Sequence, residues 1–432
     1  MISPLYWFRK YKDLSVSILT FGLNCSISML VNILLTRHYG VNGLGIFGVT
    51  IAVYWLLSQF IVQGLNLSVL KSVAQDKYNP QETSKVIYSA LILGLLTAVS
   101  MAGLATLLSP WWWDYIPLAG SASSSDKFKY GILFYLGLSI LSLNKIALAS
   151  INGLDNIITF SKLNTLRFVM GLVNLPLLML FKVPVQWLPV IAVFIGEGLL
   201  FLIYFRVLKT YYLQPFKWPK FEFLLKIWLF GLKIMFGSLY SEMNSKVLIL
   251  LLGTVVNAKT AGLYNFMALF FEAYYQLCLI IRNIINPKIP GLYKKRKWPL
   301  LKKFLKNTVL RTYMGMSVLS LLVYPFFYVL SAQILDPADA KISQTVFFWG
   351  LLAYNLGSGF ITLDGILGQL NRPFSQTLLN LVSMAILVAI IVLWAPSWGL
   401  MAAPLASAGV ILFGITYISI QMVWQFKQRS IL

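Results

Sequence analysis

Ser238, Ser241, Glu242, Ser245 and Lys246 fall on neighbouring positions of one helical face, within the stretch Gly237-Ser-Leu-Tyr-Ser-Glu-Met-Asn-Ser-Lys246. The run around them, from about Trp228 to Gly253, is otherwise apolar enough to sit in hydrocarbon. A charge near a bilayer midplane costs upward of roughly 2.5 kcal/mol, so such groups face a protein interior or a water-filled cavity, where they pair or meet a ligand. Glu242 and Lys246 are four residues apart with the acid on the N-terminal side, the order in which each neutralises the other. Two readings stand open: the pair fixes helix packing, or it lines a polar route through the membrane.

Further polar residues recur at helical spacing. The first apolar span carries Asn24, Ser28 and Asn32, the second Gln59, Gln63 and Asn66, the eighth Asn265, Glu272 and Gln276, and the tenth Asn355, Ser358 and Thr362. Separations of three, four or seven keep each set near one side of its helix. An interhelical hydrogen bond, worth about 0.6 kcal/mol in a membrane protein, accounts for any one of them. Four stripes together with the seventh-span charges point instead to a cleft shared by the two halves of the chain. Glu197, between Gly196 and Gly198, is equally open to a packing partner and to a ligand, and Arg282 and Asp364 lie near inner span ends from which they can snorkel to water.

The elements that must position these groups follow from composition. A chain of 432 residues that is 59% hydrophobic and 11% charged, with mean hydropathy +0.78, is a polytopic membrane protein. Apolar windows of about 20 residues predict twelve transmembrane helices, an all-α fold, with the seventh starting near Trp228. The basic N-terminus is followed by an apolar run too long for a signal peptide, so the first span is expected to be retained. Of the 35 Lys and Arg residues, 28 fall on one side when loops are counted alternately, Lys145, Lys162 and Arg167 included, which puts both termini in the cytoplasm. The net charge of +22 is therefore explained by the membrane and not by nucleic acid. The loop from Ser109 to Phe128 opens Pro-Trp-Trp-Trp, suited to an aromatic belt, and the inner links 206–226 and 286–307 read as amphipathic basic segments on the membrane face.

The halves echo each other. Phe21-Gly-Leu23 and Phe230-Gly-Leu232, Gly45-Ile-Phe47 and Gly262-Leu-Tyr264, and Gly153-Leu-Asp-Asn156 and Gly368-Gln-Leu-Asn371 recur at offsets of 209, 217 and 215. Duplication into two six-helix lobes follows, with an N-terminal lobe over 1–206, a cytoplasmic linker over 207–227 and a C-terminal lobe over 228–432. Chemistry that leaves short signatures is missing. There is no phosphate-binding G-x-x-x-x-G-K-[ST], no zinc-ligand spacing, and Cys25 and Cys278 sit inside spans as small packers, so neither cofactor nor metal is expected.

The segment Leu34-Leu-Thr-Arg-His-Tyr-Gly-Val-Asn-Gly-Leu-Gly-Ile-Phe47 resembles the turn between the first two spans of the polysaccharide transporter branch of the multidrug/oligosaccharidyl-lipid/polysaccharide exporter superfamily. Ala261-Gly-Leu-Tyr264 and Asn286-Pro-Lys-Ile289 are similar to that family's eighth-span entry and exit. The resemblance implies a flippase, not an enzyme, that carries undecaprenyl-pyrophosphate-linked oligosaccharide repeat units across a bacterial inner membrane for O-antigen or capsule synthesis. Twelve spans, in place of the fourteen of lipid II flippases, set it apart from them.

The physics agrees, because a sugar diphosphate cannot cross hydrocarbon unless amides, hydroxyls and cations replace its water. The expected substrate-binding residues are Lys246, Glu242, Arg37, Glu272, Gln276, Arg282, Asn24, Ser28 and Gln63, with Lys246 first and Arg37 and Arg282 as further partners for phosphate. Expected partners are the lipid-linked substrate, membrane lipids, a coupling proton or sodium ion, and polysaccharide polymerase and chain-length proteins. A cation-coupled multidrug antiporter and a membrane polymerase or ligase are the alternatives. The first calls for a carboxylate cluster in the first lobe, where only Glu197 lies well inside, and the second for a large outer loop.

Overall fold

Gly40 divides the first long helix. Its φ of 70° and ψ of 179° lie where a side chain is strained, so the chain turns from the first span to the second on one residue instead of on a loop. This helix, α1 (Lys12–Val62), is followed by the short α2 (Leu65–Asp76), then α3 (Pro80–Leu107), α4 (Ser124–Gly153), α5 (Ile157–Leu180), α6 (Leu188–Tyr211) and α7 (Phe221–Val255). The remainder is α8 (Ala258–Ile285), α9 (Trp298–Ile334), α10 (Pro337–Ile361), the short α11 (Ile366–Gln369), α12 (Pro373–Trp398), a 3-10 turn and α13 (Ala402–Ser430). The computed structural model describes residues 12–76, 79–107, 124–154, 156–211, 214–215, 218–285, 289, 292, 298–363, 365–370 and 372–430. Met1–Tyr11, most of the Ser109–Phe128 loop, Asn286–Lys288, Lys294–Lys297 and Asp364 lie outside the described residues, as do the side chains of residues 236–244.

Among the described residues the long helices number twelve once α1 is divided at Gly40, in keeping with the hydropathy windows, and eight helical stretches are long and apolar enough to cross a membrane. Local signals fix their ends. The Asn156 side chain accepts from the Thr159 backbone at the start of α5, the Asn257 side chain accepts from Thr260 at the start of α8, and Pro337 and Pro373 open α10 and α12. Many hydroxyls satisfy themselves on their own helix, as Thr36 does on the Asn32 carbonyl and Ser142 on that of Leu138, which makes them cheap to bury. Large apolar side chains such as Leu96, Val99, Leu321 and Leu412 lie more than half exposed, a surface suited to lipid.

The inner links are shorter than the sequence reading has them. The expected linker over 207–227 is partly helical, since α6 continues to Tyr211 and α7 begins at Phe221. Residues 298–307 are not a separate surface segment but the first turns of α9, whose 37 residues, about 55 Å at 1.5 Å each, exceed a hydrocarbon core of about 30 Å. Leu301 and Leu305 bury one side of that extension against Leu363, Ile366, Leu367 and Leu370, while Lys302, Lys303 and Lys306 stay exposed.

Two compact units divide the chain. The first comprises Met1–Tyr39 and Val49–Ser238. Its core gathers α2, α3, α4 and α6 around Val69, Ile87, Ile146 and Tyr204. Between Val62 and Leu65 the helix breaks, with Gln63 and Gly64 both at positive φ, and a Cβ on Gly64 would stand 2.2 Å from the Gly231 carbonyl oxygen. The Trp228 indole donates to the Gln63 side chain there, and the Ser68 hydroxyl donates to the Ile227 carbonyl. The start of α7 is thereby fastened to the break.

The second unit comprises Gly40–Gly48 and Leu239–Leu432. Gly45 lets the backbone of the 40–48 segment touch α8, because a Cβ there would lie 1.7 Å from the Ala258 carbonyl oxygen; at Gly262 it would lie 2.1 Å from that of Val41. Gly45→Val is therefore expected to lower the thermal stability of the detergent-purified protein by at least the roughly 1–3 kcal/mol of an overpacked core. Gly22→Ala, at a helical glycine with nothing within 4 Å, should not. Equal melting curves for the two variants would show that this packing is dispensable.

Candidate functional site

In the second unit, α7 and α8 are joined by a tight turn at Val256–Asn257 and run as neighbours. Lys246 on α7 places its Nζ 2.7 Å from Oε1 of Glu272 on α8, and the Ser245 hydroxyl donates to the same carboxylate oxygen. Lys246 lies about 14 Å from the end of α7 at Val255 and Glu272 about 21 Å from the start of α8, so both are deep within spans. Yet the two side chains remain 24% and 35% exposed. Lys246 thus has a carboxylate partner on the next helix that its spacing along α7 does not indicate. Glu242 occupies a helical position on α7 one turn before Lys246, but its side chain lies outside the described residues.

The other expected site residues are distributed as follows. Gln276 is exposed one turn beyond Glu272, and Arg282 is half-buried in the last turn of α8. Asn24 is buried and Ser28 half-buried on the first span, and the Asn24 Oδ1 has no hydrogen-bond donor among the described residues. Arg37 is exposed just before Gly40. Gln63 turns out to be the residue of the helix break, its side chain engaged by Trp228, which is a packing role. The tenth-span stripe is likewise packing in part, because Asn355 accepts from Tyr274 on α8 and Ser317 on α9.

The first unit holds a second charged cluster that the sequence reading did not assemble. The Arg167 Nε on α5 lies 2.8 Å from Oε1 of Glu197 on α6, and its Nη2 donates to Oε2 at 3.1 Å. The Asn144 amide on α4 donates to both the Glu197 carboxylate and its backbone carbonyl, at 2.7 and 2.8 Å. The next residue, Lys145, donates to Ser58 at 2.7 Å and stands 4.1 Å from the centroid of the Trp55 ring, with the Arg167 guanidinium 6.0 Å from the same ring. Lys145 and Arg167 thus lie inside helices, about 12 Å from Gly153 and about 15 Å from Ile157, within the expected spans 129–149 and 164–181 although the charge count assigns them to the inner side. The signal was Glu197 itself: a carboxylate deep in a span requires a cation, and these are the cations of the adjoining spans.

Cys25 and Cys278 are free, and no cluster of three metal-ligating side chains occurs among the described residues. What the two clusters offer is fixed charge within the spans, which is a means of holding a polar or ionic ligand.

Several solved structures of membrane transporters share this fold. The chain is similar to an inward-facing multidrug resistance MATE family transporter of the MOP superfamily, with TM-score 0.73 at 12% identity over 96% of this chain and 98% of that one. It is also similar to the lipid II flippase MurJ in an inward closed conformation, with TM-score 0.71 at 16% identity over 94% of this chain and 87% of that one. A third likeness, TM-score 0.62 at 12% identity over 97% and 95% of the chains, is to a MOP superfamily transporter from Pyrococcus furiosus described as having a binding pocket of reverse polarity. A search of curated protein sequences gives no match. The family model for polysaccharide biosynthesis proteins matches residues 11–290, well over half of the sequence, and the chain belongs to that family.

Proposed function

We propose that this protein is a flippase for polyprenyl-diphosphate-linked oligosaccharide repeat units of a bacterial surface polysaccharide, O-antigen or capsule, in the inner membrane with both termini cytoplasmic. The observation that carries the reading is the Lys246–Glu272 pair, two charges at mid-span that are a quarter to a third exposed. Charges exposed at that depth do not face hydrocarbon; they face water or a polar cargo. Membership of the polysaccharide biosynthesis family supports a saccharide cargo. A sugar diphosphate needs a cation at mid-membrane, and Lys246 supplies it in the second unit, with Arg282 as a phosphate contact nearer the span end and Gln276 as a partner for sugar hydroxyls; Arg37, Asn24 and Ser28 are the corresponding candidates in the first unit. Glu242, one turn from Lys246, is a further carboxylate for the same face.

The fold alone is shared with multidrug transporters and does not separate the two cargoes. Against an antiporter stands the first unit, where Glu197, the carboxylate well inside its spans, is held by a guanidinium and an amide. Coupling to a proton or sodium ion would then run through Glu272 or Glu242. The test is reconstitution: liposomes containing the protein should expose a fluorescent polyprenyl-diphosphate oligosaccharide to an externally added glycosidase at a rate above protein-free liposomes. Efflux of cationic dyes without any such exposure would overturn the reading.

A further inference from the structure

The cluster in the first unit has binding capacity that its internal contacts do not use. Glu197 engages the Nε and Nη2 side of Arg167, whereas no hydrogen bond or ion pair reaches the remaining N–H groups of this guanidinium among the described residues. Asn144 is fully buried with its amide nitrogen committed to Glu197, and its Oδ1 has no donor among the described residues. A buried acceptor left without a donor costs about 1–3 kcal/mol, which a protein retains when a ligand or water completes the bond. Lys145, aimed at Trp55 beside Arg167, adds a second cation to the same aromatic ring.

Unused donors on a buried guanidinium, a neighbouring ammonium and an unmatched amide oxygen call for one kind of ligand: an oxyanion that also carries a hydroxyl. The oxyanion accepts from Arg167 and Lys145, and the hydroxyl donates to Asn144 Oδ1. Glu197 is then the positioning residue that keeps Arg167 turned to the site. We propose that Asn144, Lys145 and Arg167 form a binding site for an acidic sugar group, a sugar phosphate or a sugar carboxylate, in the N-terminal unit. The chemistry rests on this cluster alone. That the group belongs to a transported headgroup rests on the flippase reading, and the test below uses binding so that the two fail separately.

Saturation-transfer NMR on the detergent-purified Lys246→Ala protein, which lacks the cation paired with Glu272, should show binding of glucose 1-phosphate or glucuronate, with glucose at least tenfold weaker. The tighter of the two acids identifies the source, phosphoryl for the lipid-proximal sugar and carboxylate for an acidic sugar of the repeat unit. Adding Lys145→Gln, which leaves the Arg167–Glu197 pair in place and so keeps the fold, should weaken the acid by about tenfold, the loss of one charge-assisted hydrogen bond. The paired change Arg167→Met with Glu197→Met, which leaves no buried charge unmatched, should abolish it. Equal binding of glucose and the acids, binding indifferent to Lys145→Gln, or no binding by any of the three would overturn the proposal.

Discussion

Replacing Lys246 by alanine is expected to lower the rate of headgroup translocation by roughly 10- to 100-fold, the value of one hydrogen bond between charged groups of about 1.5–3 kcal/mol, while Lys246→Arg retains most of the rate. The direction follows from the geometry. The Lys246 ammonium is a cation at mid-span in the second unit, its three donors are not all taken by Glu272, and a quarter of its side chain is open. Alanine removes the donor for phosphate and leaves Glu272 with Ser245 alone, so an anionic cargo then meets an uncompensated carboxylate. Arginine keeps the charge and the reach. The measurement is glycosidase exposure of a polyprenyl-diphosphate oligosaccharide in liposomes holding equal amounts of folded protein. Unchanged exposure by the alanine variant would remove Lys246 from the cargo path.

The spans were legible in the sequence because hydrocarbon imposes one requirement on every residue of a window, so composition alone locates them. Even the division at Gly40 is visible as a break in the apolar run, although not its compression to one residue: that needed the close approach of the 40–48 segment to α8 at Gly45 and Gly262, which no local signal encodes. Lys246 and Glu272 were both legible as misplaced charges. Their pairing was not, because spacing along one helix favours a partner four residues away, whereas the turn at Asn257 brings α8 alongside α7 and offers a carboxylate with a hydroxyl already bonded to it. Lys145 and Arg167 were concealed differently. Near the ends of apolar windows a cation is counted with the adjoining loop even where the window contains it, and only the contacts of Glu197 on α6 with Asn144 on α4 and Arg167 on α5 show the cluster they belong to.

Exchanging the two charges, Lys246→Glu together with Glu272→Lys, is expected to give a protein that reaches the membrane and melts near the parent temperature yet translocates at under about a tenth of the parent rate. Attraction between the two groups is symmetric, and the Ser245 hydroxyl that now donates to Glu272 can accept from a lysine at that position, so the pair is satisfied in either order. Breaking the pair with Glu272→Gln alone should cost stability, though less than the roughly 3–5 kcal/mol of a fully buried pair, since both side chains are partly exposed. Function is not symmetric. In the parent protein an arriving diphosphate can draw Lys246 away while Ser245 continues to serve Glu272, so loading exchanges one partner and strands none. In the exchanged protein the cation stands on α8 and the carboxylate on α7, one turn from Glu242, where two acids on one helical face repel the cargo and each other. A ligand shifts a conformational equilibrium only by its difference in affinity between the two states, and with the phosphate contact displaced that difference is lost. Parent-level transport by the exchanged protein would show that Lys246 and Glu272 only hold α7 against α8, and the cation for the diphosphate would then have to be sought at Arg37 or Arg282.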